Sequence, residues 1–306
     1  MKHPAPPFCA AIEAGGTKFV VACGSGPDDL RATVTIPTTT PTETLSRCAD
    51  WLDSQQQEFG PFAALGIGTF GPAGVHRGQA DWGFITTTPK PGWQHTDVAG
   101  YFSRALGGIP VAFDTDVNAA ALGECLWGAG RGCRTVLYLT IGTGIGGGFV
   151  LDGKPLHGAL HPEMGHIRTC RAPDDPFPGH CPWHADCLEG MASGPAIAAR
   201  WGCPADQLPR DHRAWDAEAH YLAEACTGFL YTLSPERIIL GGGVMHVPGL
   251  LDKVRQGMTA RLAGYLQHPL YTSQLGTAIR APDLGSRSGI LGAIALAHRL
   301  LAPESH

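Results

Sequence analysis

Charge is scarce in this chain. Asp, Glu, Lys and Arg make up 16% of its 306 residues, where about 25% is usual. No basic run occurs and the formal net charge is −5, so a nucleic-acid partner is not expected. No apolar stretch approaches the ~18 residues of a membrane span, so a membrane is not expected either. Pro4, Pro6, Pro7 and then Glu13 interrupt Met1–Gly16, which spoils it as a signal peptide. The expected compartment is the cytoplasm. Its ten cysteines are then expected as reduced thiols or metal ligands rather than as a disulfide framework.

Glycine, by contrast, is plentiful. There are 42, about twice the ~7% average share, so many turns and close backbone approaches are expected. Apolar residues reach 43%, enough for a sizeable core, and the length suggests two domains. Glycine is densest at Ile141–Gly148, where five of eight residues are Gly, after a β-type run at Arg134–Thr140. Glycines let backbone N–H groups turn toward an anion and let it approach the main chain, so the stretch reads as a phosphate cradle. The spacing Gly142-x-Gly144-x-x-Gly147 also fits a dinucleotide fingerprint, but that motif needs a helix to begin inside it. Here Phe149–Leu151 runs into Asp152-Gly153, the signature of a strand and a tight turn. A Walker loop fails because Pro155 follows Lys154, where a hydroxyl is required. A glycine-rich hairpin without a ligand is the alternative, and it is the weaker one given the backbone entropy such a run costs.

The N-terminal region repeats the plan. Phe8–Glu13 is a strand ending in a carboxylate, Ala14–Thr17 a small-residue turn, and Lys18–Ala22 a second strand. The two hairpins read as halves of an internal duplication about 130 residues apart; two unrelated hairpins are the alternative. Thr40-Pro41-Thr42-Glu43 is a capping box with Pro at the first helical position, opening a helix with Leu45, Cys48, Ala49 and Leu52 on one face. Ala64–Phe70 and Ile109–Phe113 are strands, and Ala119–Trp127 is a helix. Further on, Gly190–Trp201, Ala217–Leu233, Pro248–Leu262 and Ser288–Leu301 read as helices and Arg237–Leu240 as a buried strand. Strands alternate with helices in both halves, so the fold class is α/β.

Several residues carry possible chemistry. Asp116 lies at a strand-to-helix junction, where ligands of open α/β sheets bind. A carboxylate there can take a proton from a hydroxyl that attacks phosphorus, although position alone favours a helix N-cap. Glu13, beside the first glycine turn, could hold magnesium through water or be an ordinary strand-end charge. Gly241-Gly242-Gly243 could let an adenine ring lie against the backbone or be only a tight turn. His166, Cys181, His184 and Cys187 are two Cys and two His at compact spacing, which fits a closed tetrahedral zinc site. The loop Pro155–Cys187 has little periodicity, and a metal would explain how it becomes ordered. His161, Cys170 and His180 lie nearby as possible substitutes.

Taken together these segments resemble the ROK family of sugar kinases and repressors, and within it the zinc-containing bacterial fructokinase branch. The resemblance runs through residues 12–19, 66–72, 85–93 and 116–124, the central hairpin, and residues 161–166, 181–190 and 239–244. It implies a two-lobed sugar kinase/hsp70/actin-like fold, a duplicated ribonuclease H-like α/β architecture with an inserted zinc loop. The first lobe would span residues 1–114, with a terminal helix at 288–303 packing back on it. The second would span 115–287 and include the zinc loop 155–190. The resemblance also implies ATP-dependent phosphorylation of D-fructose at its 6-hydroxyl, with magnesium accompanying ATP, structural zinc, and a homodimer. Other hexose or amino-sugar kinases, such as those for glucose, mannose or N-acetylmannosamine, and a non-catalytic sugar sensor are the alternatives. Asp116 would be the base, and Asn118, Glu163, His166 and Glu189 the sugar ligands. Gly15, Gly16, Thr17 and Lys18 with Gly142, Thr143 and Gly144 would hold the phosphates, Gly242 and Gly243 the adenosine, and Glu13 the magnesium. His166 would serve zinc and sugar at once, through its two ring nitrogens. Two positions depart from many relatives: Glu13 stands where Asp is common, and Thr115-Asp116 where Asn-Asp is common. No helix-turn-helix precedes the first strand, so the repressor branch is not expected.

Overall fold

The computed structural model describes residues 6–302. Residues 1–5 of the stretch weighed as a signal peptide, and residue 303 of the expected last helix, lie outside the described residues. The chain divides into two compact units. One comprises the chain up to Gly128, Lys154–His161 and the segment from Ser286; the other comprises Ala129–Gly153 and Pro162–Gly285.

In the first unit, strands Asp29–Pro37, Lys18–Gly26, Cys9–Ala14, Leu65–Thr69 and Val111–Thr115 form one sheet in that spatial order. The first three are antiparallel neighbours, while Leu65–Thr69 runs parallel to both Cys9–Ala14 and Val111–Thr115. Successive side chains point to opposite faces, and the two faces receive different helices. Ala10, Ile12, Ala14, Leu65 and Ile67 share a core with Leu45, Cys48 and Leu52 of helix Pro41–Phe59 and Phe102 of helix Val98–Ala105. On the other face Cys9 meets Ala297 of the last helix, Ser288–Leu301. Half of the expected capping box is seen: Thr40 accepts the N–H of Glu43 at 3.3 Å, while the Glu43 carboxylate accepts from the Thr39 hydroxyl at 2.8 Å. Strand Asp29–Pro37 and helix Val98–Ala105 have no counterpart in the sequence reading. The first alternates apolar and polar residues from Leu30 to Ile36 and was legible as a strand, while the second is only 8 residues long.

Residues 85–93 carry little regular structure, yet they are pinned. Trp93 is fully buried, donates Nε1–H to the carbonyl of Thr39 at 2.9 Å, and packs its ring 5.3 Å from Phe19 and 5.6 Å from Phe70. Burying such a side chain is worth roughly 2–3 kcal/mol, and each aromatic pair adds about 1 kcal/mol, enough to hold a short irregular segment.

In the second unit, strands Ile145–Leu151, Thr135–Ile141, Arg237–Gly241 and Ile279–Arg280 lie side by side in that order. Ile145–Leu151 and Thr135–Ile141 form the expected antiparallel hairpin, and Arg237–Gly241 runs parallel to Thr135–Ile141. Each unit therefore holds a hairpin whose first strand has a parallel neighbour on its other edge, as a duplication requires. No helix starts after Gly147, so the dinucleotide alternative falls. Helices Ala214–Leu233 and Leu250–Leu262 pack together beside the sheet. The single helix read at Gly190–Trp201 is two, Leu188–Ala192 and Gly194–Trp201. The break falls at Ser193, whose side chain caps the second by accepting the N–H of Ala196. Among the described residues, no helix is long and apolar enough to cross a membrane.

The boundary read at 114/115 differs from the observed division, for a physical reason. Helix Asp116–Trp127 packs tightly on Ser288–Leu301 and against Leu65–Thr69, so it belongs with the first unit. The contact is backbone to backbone. A Cβ on Gly292 would lie 1.8 Å from the carbonyl oxygen of Ala119, and one on Gly123 would lie 2.8 Å from that of Ser288. Gly292→Ala should therefore cost roughly 3 kcal/mol or more, because a backbone carbonyl cannot rotate aside. Gly228, in helix Ala214–Leu233 with open space around its Cβ position, should respond to Ala with a gain of about 0.5–1 kcal/mol. Urea unfolding midpoints of the two variants should shift in opposite directions; a shared direction would contradict the packing described.

Candidate functional site

The first unit places Glu13, Gly15, Gly16, Thr17, Lys18, Asp116 and Asn118 at or just beyond the ends of its central strands. The turn after Cys9–Ala14 closes with the N–H of Gly15 on the carbonyl of Lys18 at 3.0 Å. A Cβ on Gly15 would lie 2.8 Å from that oxygen, whereas Gly16 faces open space. Thr17 and Lys18 are exposed, so the turn offers main chain and an ammonium group to a ligand. Glu13 sits under it, at the N-terminus of the last helix. Burial pushes its carboxyl up, while Lys18 and the N–H of Ile290 favour the charged form. It occupies the space that a Cβ on Gly289 would need, 2.3 Å from the carboxyl carbon. Capping the last helix accounts for a carboxylate here without a metal. The same group has lone pairs left for a magnesium-bound water, so the residue fits both roles.

Asp116 is not the N-cap. That position is taken by Thr115, whose hydroxyl accepts the N–H of Asn118 at 3.2 Å. Asp116 is the first residue of the helix, part-exposed, with Oδ1 accepting the N–H of Val117 at 2.9 Å. Thr115, standing where Asn is common, thus does the capping. Gly68 is why the helix start can lie so close to the sheet, since a Cβ there would come within 2.7 Å of Ala119 Cβ and 3.3 Å of Asp116 Cα. Asn118 is buried and donates Nδ2–H to Asp114 Oδ1 at 2.7 Å. Asp114 and its partner His157 Nε2, 3.0 Å away, were not legible in the sequence, because they meet across 43 residues.

The second unit brings together Glu163, His166 and Glu189 beside the glycine hairpin. A short turn at Met164–His166 closes with the N–H of His166 on the carbonyl of Glu163 at 3.0 Å. Burial pushes the Glu163 carboxyl up, His166 draws it down and Glu189 raises it again. Glu189 in turn accepts the N–H of Ile145 at 2.9 Å. The hairpin glycines make this convergence possible. A Cβ on Gly144 would lie 2.7 Å from Glu189 Oε2, and one on Gly147 would lie 2.6 Å from Met164 Sδ. Packing beneath the turn therefore requires glycine at both positions.

His166, Cys181, His184 and Cys187 converge, with donor atoms within 4.8 Å of one another. His166 Nδ1 lies 3.5 Å from Cys187 Sγ and 3.9 Å from Cys181 Sγ, and His184 Nδ1 lies 3.8 Å from Cys181 Sγ. A tetrahedral zinc with ordinary Zn–S and Zn–N lengths separates N and S by about 3.6 Å, so the donor set fits that ion. Burial pushes the Cys187 thiol up to about 11; a bound cation opposes this by favouring the thiolate. The possible substitutes lie apart. His161 accepts the N–H of Ala73 at 3.0 Å in the first unit, and Cys170 and His180 are not in the cluster. A metal would not be the loop's sole anchor. Asp175 pairs with the buried Arg200 at 3.2 Å and accepts from the Tyr221 hydroxyl at 2.5 Å, while the Arg200 guanidinium lies 4.5 Å above the Phe177 ring.

A cavity of about 880 Å³ opens beside the hairpin and is lined by Gly142, Thr143, Pro195, Trp215, Gly243 and Val244, among others. It is a suitable size for a nucleotide. Gly144 and Gly242 are not part of its lining. Gly242 has φ of +90°, and a Cβ there would lie 2.3 Å from the carbonyl oxygen of Ile141. Its role is to bring the strand end close to the hairpin, so that Gly243 can border the cavity. The walls Pro195 and Trp215 come from helices that carry no recognisable motif, which is why sequence reasoning missed them.

A family model described as the ROK family matches residues 9–300. The chain is 45% identical over 291 residues to a fructokinase of Zymomonas mobilis, covering 94% of this chain and 95% of that one. It is 40% identical over 291 residues to a fructokinase of Pediococcus pentosaceus, covering 95% and 98%. A ROK hexokinase of Thermus thermophilus matches with a TM-score of 0.77 at 28% identity, over 96% of this chain and 99% of that one. A ROK family glucokinase of Streptomyces griseus, solved with glucose and AMPPNP, matches with a TM-score of 0.71 at 25% identity, over 95% and 99%. The architecture is thus one shared with carbohydrate kinases. The chain belongs to the ROK family.

The donor geometry predicts about one zinc per purified chain, by elemental analysis. Cys181→Ser should remove most of it and Cys170→Ser should not. Equal zinc loss in both variants would reject the proposed ligand set.

Proposed function

We propose that this protein is a fructokinase, transferring the γ-phosphoryl group of ATP to the 6-hydroxyl of D-fructose. The geometry supports phosphoryl transfer to a sugar, and full-length relatives named fructokinase at 37–45% identity carry the choice of fructose. A second reading, another hexose kinase, has support from a Halalkalibacterium halodurans glucokinase at 32% identity, which covers 74% of this chain. Relative kcat/KM across fructose, glucose, mannose and N-acetylmannosamine decides between them. Fructose should lead, and sugar binding without ADP release would indicate a sensor instead.

In this reading Asp116 takes the proton from the attacking hydroxyl. Its position at the first residue of the helix, part-exposed at the strand end, supports that role. Asn118, Glu163, His166 and Glu189 hold the remaining hydroxyls. His166 turns Nδ1 to the cysteine cluster, so its other nitrogen carries the proton and donates. Gly15, Gly16, Thr17 and Lys18 in one unit, and Gly142, Thr143 and Gly144 in the other, hold the phosphates, with the packing role of Gly144 added to that. Gly242 and Gly243 shape the adenosine pocket. Glu13 would hold magnesium through water, and magnesium supplies positive charge to the triphosphate when bound. Zinc supplies no chemistry; held by His166, Cys181, His184 and Cys187, it would fix the loop from which Glu163, His166 and Glu189 project. We assign the protein to the cytoplasm, consistent with ten unpaired cysteines, and to a homodimeric state.

Asp116→Asn keeps the shape and removes the base. Turnover in a coupled ADP-release assay should fall roughly 10²–10⁴-fold; an unchanged kcat would remove Asp116 from the mechanism. Zinc removal, or Cys181→Ser, should raise the fructose KM strongly and the ATP KM much less. A rise confined to the ATP KM, or no rise at all, would reject the positioning role of the metal.

A further inference from the structure

Asp114 ends the strand Val111–Thr115 and is almost wholly buried. A buried carboxylate must be satisfied by hydrogen bonds. Its Oδ1 accepts the N–H of Thr115 at 2.8 Å and Nδ2–H of Asn118 at 2.7 Å, both from its own junction. A third donor comes from elsewhere. His157 Nε2 lies 3.0 Å from Oδ2 and 3.2 Å from Oδ1, supplied by a segment 43 residues further along the chain. The hydrogen bond to Asp114 raises the basicity of His157, against the opposing effect of burial. The His76 ring packs edge-on at 5.7 Å, and Arg299 adds positive potential at Asp114.

The consequence lies at Asn118. An amide nitrogen 2.7 Å from a carboxylate can only donate, so the orientation of this side chain is fixed. Its Oδ1 is then turned the other way, buried, with no hydrogen-bond partner among the described residues. An unmatched buried acceptor is costly, and the hydroxyl of a sugar is a donor that satisfies it. His157 is oriented by no such need of its own. Among the described residues its polar neighbours are Asp114 and, at 3.4 Å, Asn118 Nδ2. With both nitrogens on the Asp114 carboxylate and only 3.4 Å apart, a flipped amide would set Asn118 Oδ1 against the carboxylate oxygen.

We propose that His157 is a positioning residue of the sugar site, acting through Asp114 to hold the Asn118 amide with Oδ1 presented to a sugar hydroxyl. The proposal rests on the sugar kinase reading, with Asn118 as a sugar ligand. It assigns to His157 a share of sugar affinity without contact with the sugar, and no share in nucleotide binding.

The test separates the two readings. Wild-type enzyme is first assayed with fructose and the other hexoses; failure on fructose with activity on another sugar would overturn the fructose assignment, and the comparison then proceeds with that sugar. His157→Leu removes the donor and should raise the sugar KM about tenfold or more, with the ATP KM within about twofold. His157→Gln retains an N–H that can reach Asp114 and should recover most of the sugar affinity. If H157L lacks a cooperative thermal melt, H157Q is compared with H157E, whose carboxylate would repel Asp114 and should again raise the sugar KM alone. An unchanged sugar KM in H157L overturns the proposal. So does a parallel rise in both KM values, an H157Q no better than H157L, or equal sugar KM values for H157Q and H157E.

Discussion

The carbonyl oxygen of Ala119 lies where a side chain on residue 292 would have to begin. That contact, with its counterparts at Gly123 and Gly68, presses helix Asp116–Trp127 between the last helix and the parallel strands of the first unit. Everything proposed for the chemistry of that unit depends on it. The helix start is held against Leu65–Thr69, Thr115 closes its first turn, and Asp116 follows at the first helical position, part-exposed. A bulkier residue at any of the three glycines would move the carboxylate together with its helix. Small residues at these positions are therefore a condition of the site, although none of them touches a ligand.

The second unit reaches a similar result by different means. Its hairpin glycines were read as room for a phosphate, and some of that room is taken by protein. Gly144 and Gly147 admit Glu189 and Met164, and Gly242 admits the carbonyl of Ile141. What remains for a ligand is the cavity edge at Gly142, Thr143 and Gly243. A glycine-rich run thus serves two masters here, and the same backbone that borders the cavity sits on the turn carrying Glu163 and His166.

The legible part of the sequence was what local chemistry dictates. The N-cap at Thr40, the Asp152-Gly153 turn, and two Cys and two His at close spacing each specify a local outcome, and each is found as read. Alternation of strands and helices likewise gave the class of fold. What was not legible depends on contacts between distant segments. The domain boundary moved to Gly128 because helix Asp116–Trp127 prefers the last helix. The N-cap fell one residue earlier because Thr115 reaches the N–H of Asn118 and Asp116 does not need to. His157 gave no signal at all, since a lone histidine in a loop reveals nothing of an aspartate 43 residues before it. Pro195 and Trp215 were missed for the same reason, as cavity walls are set by tertiary packing.

The central claim is that the carboxylate at the start of helix Asp116–Trp127 directs one hydroxyl of one sugar onto phosphorus. Carbon-13 NMR of the product made from ATP and D-fructose tests this most directly, because splitting by phosphorus falls on C6 and C5 for one ester and on C1 and C2 for the other. The account predicts fructose 6-phosphate as the sole phosphosugar, formed in step with ADP. Fructose 1-phosphate, or ADP accompanied by inorganic phosphate alone, would contradict it.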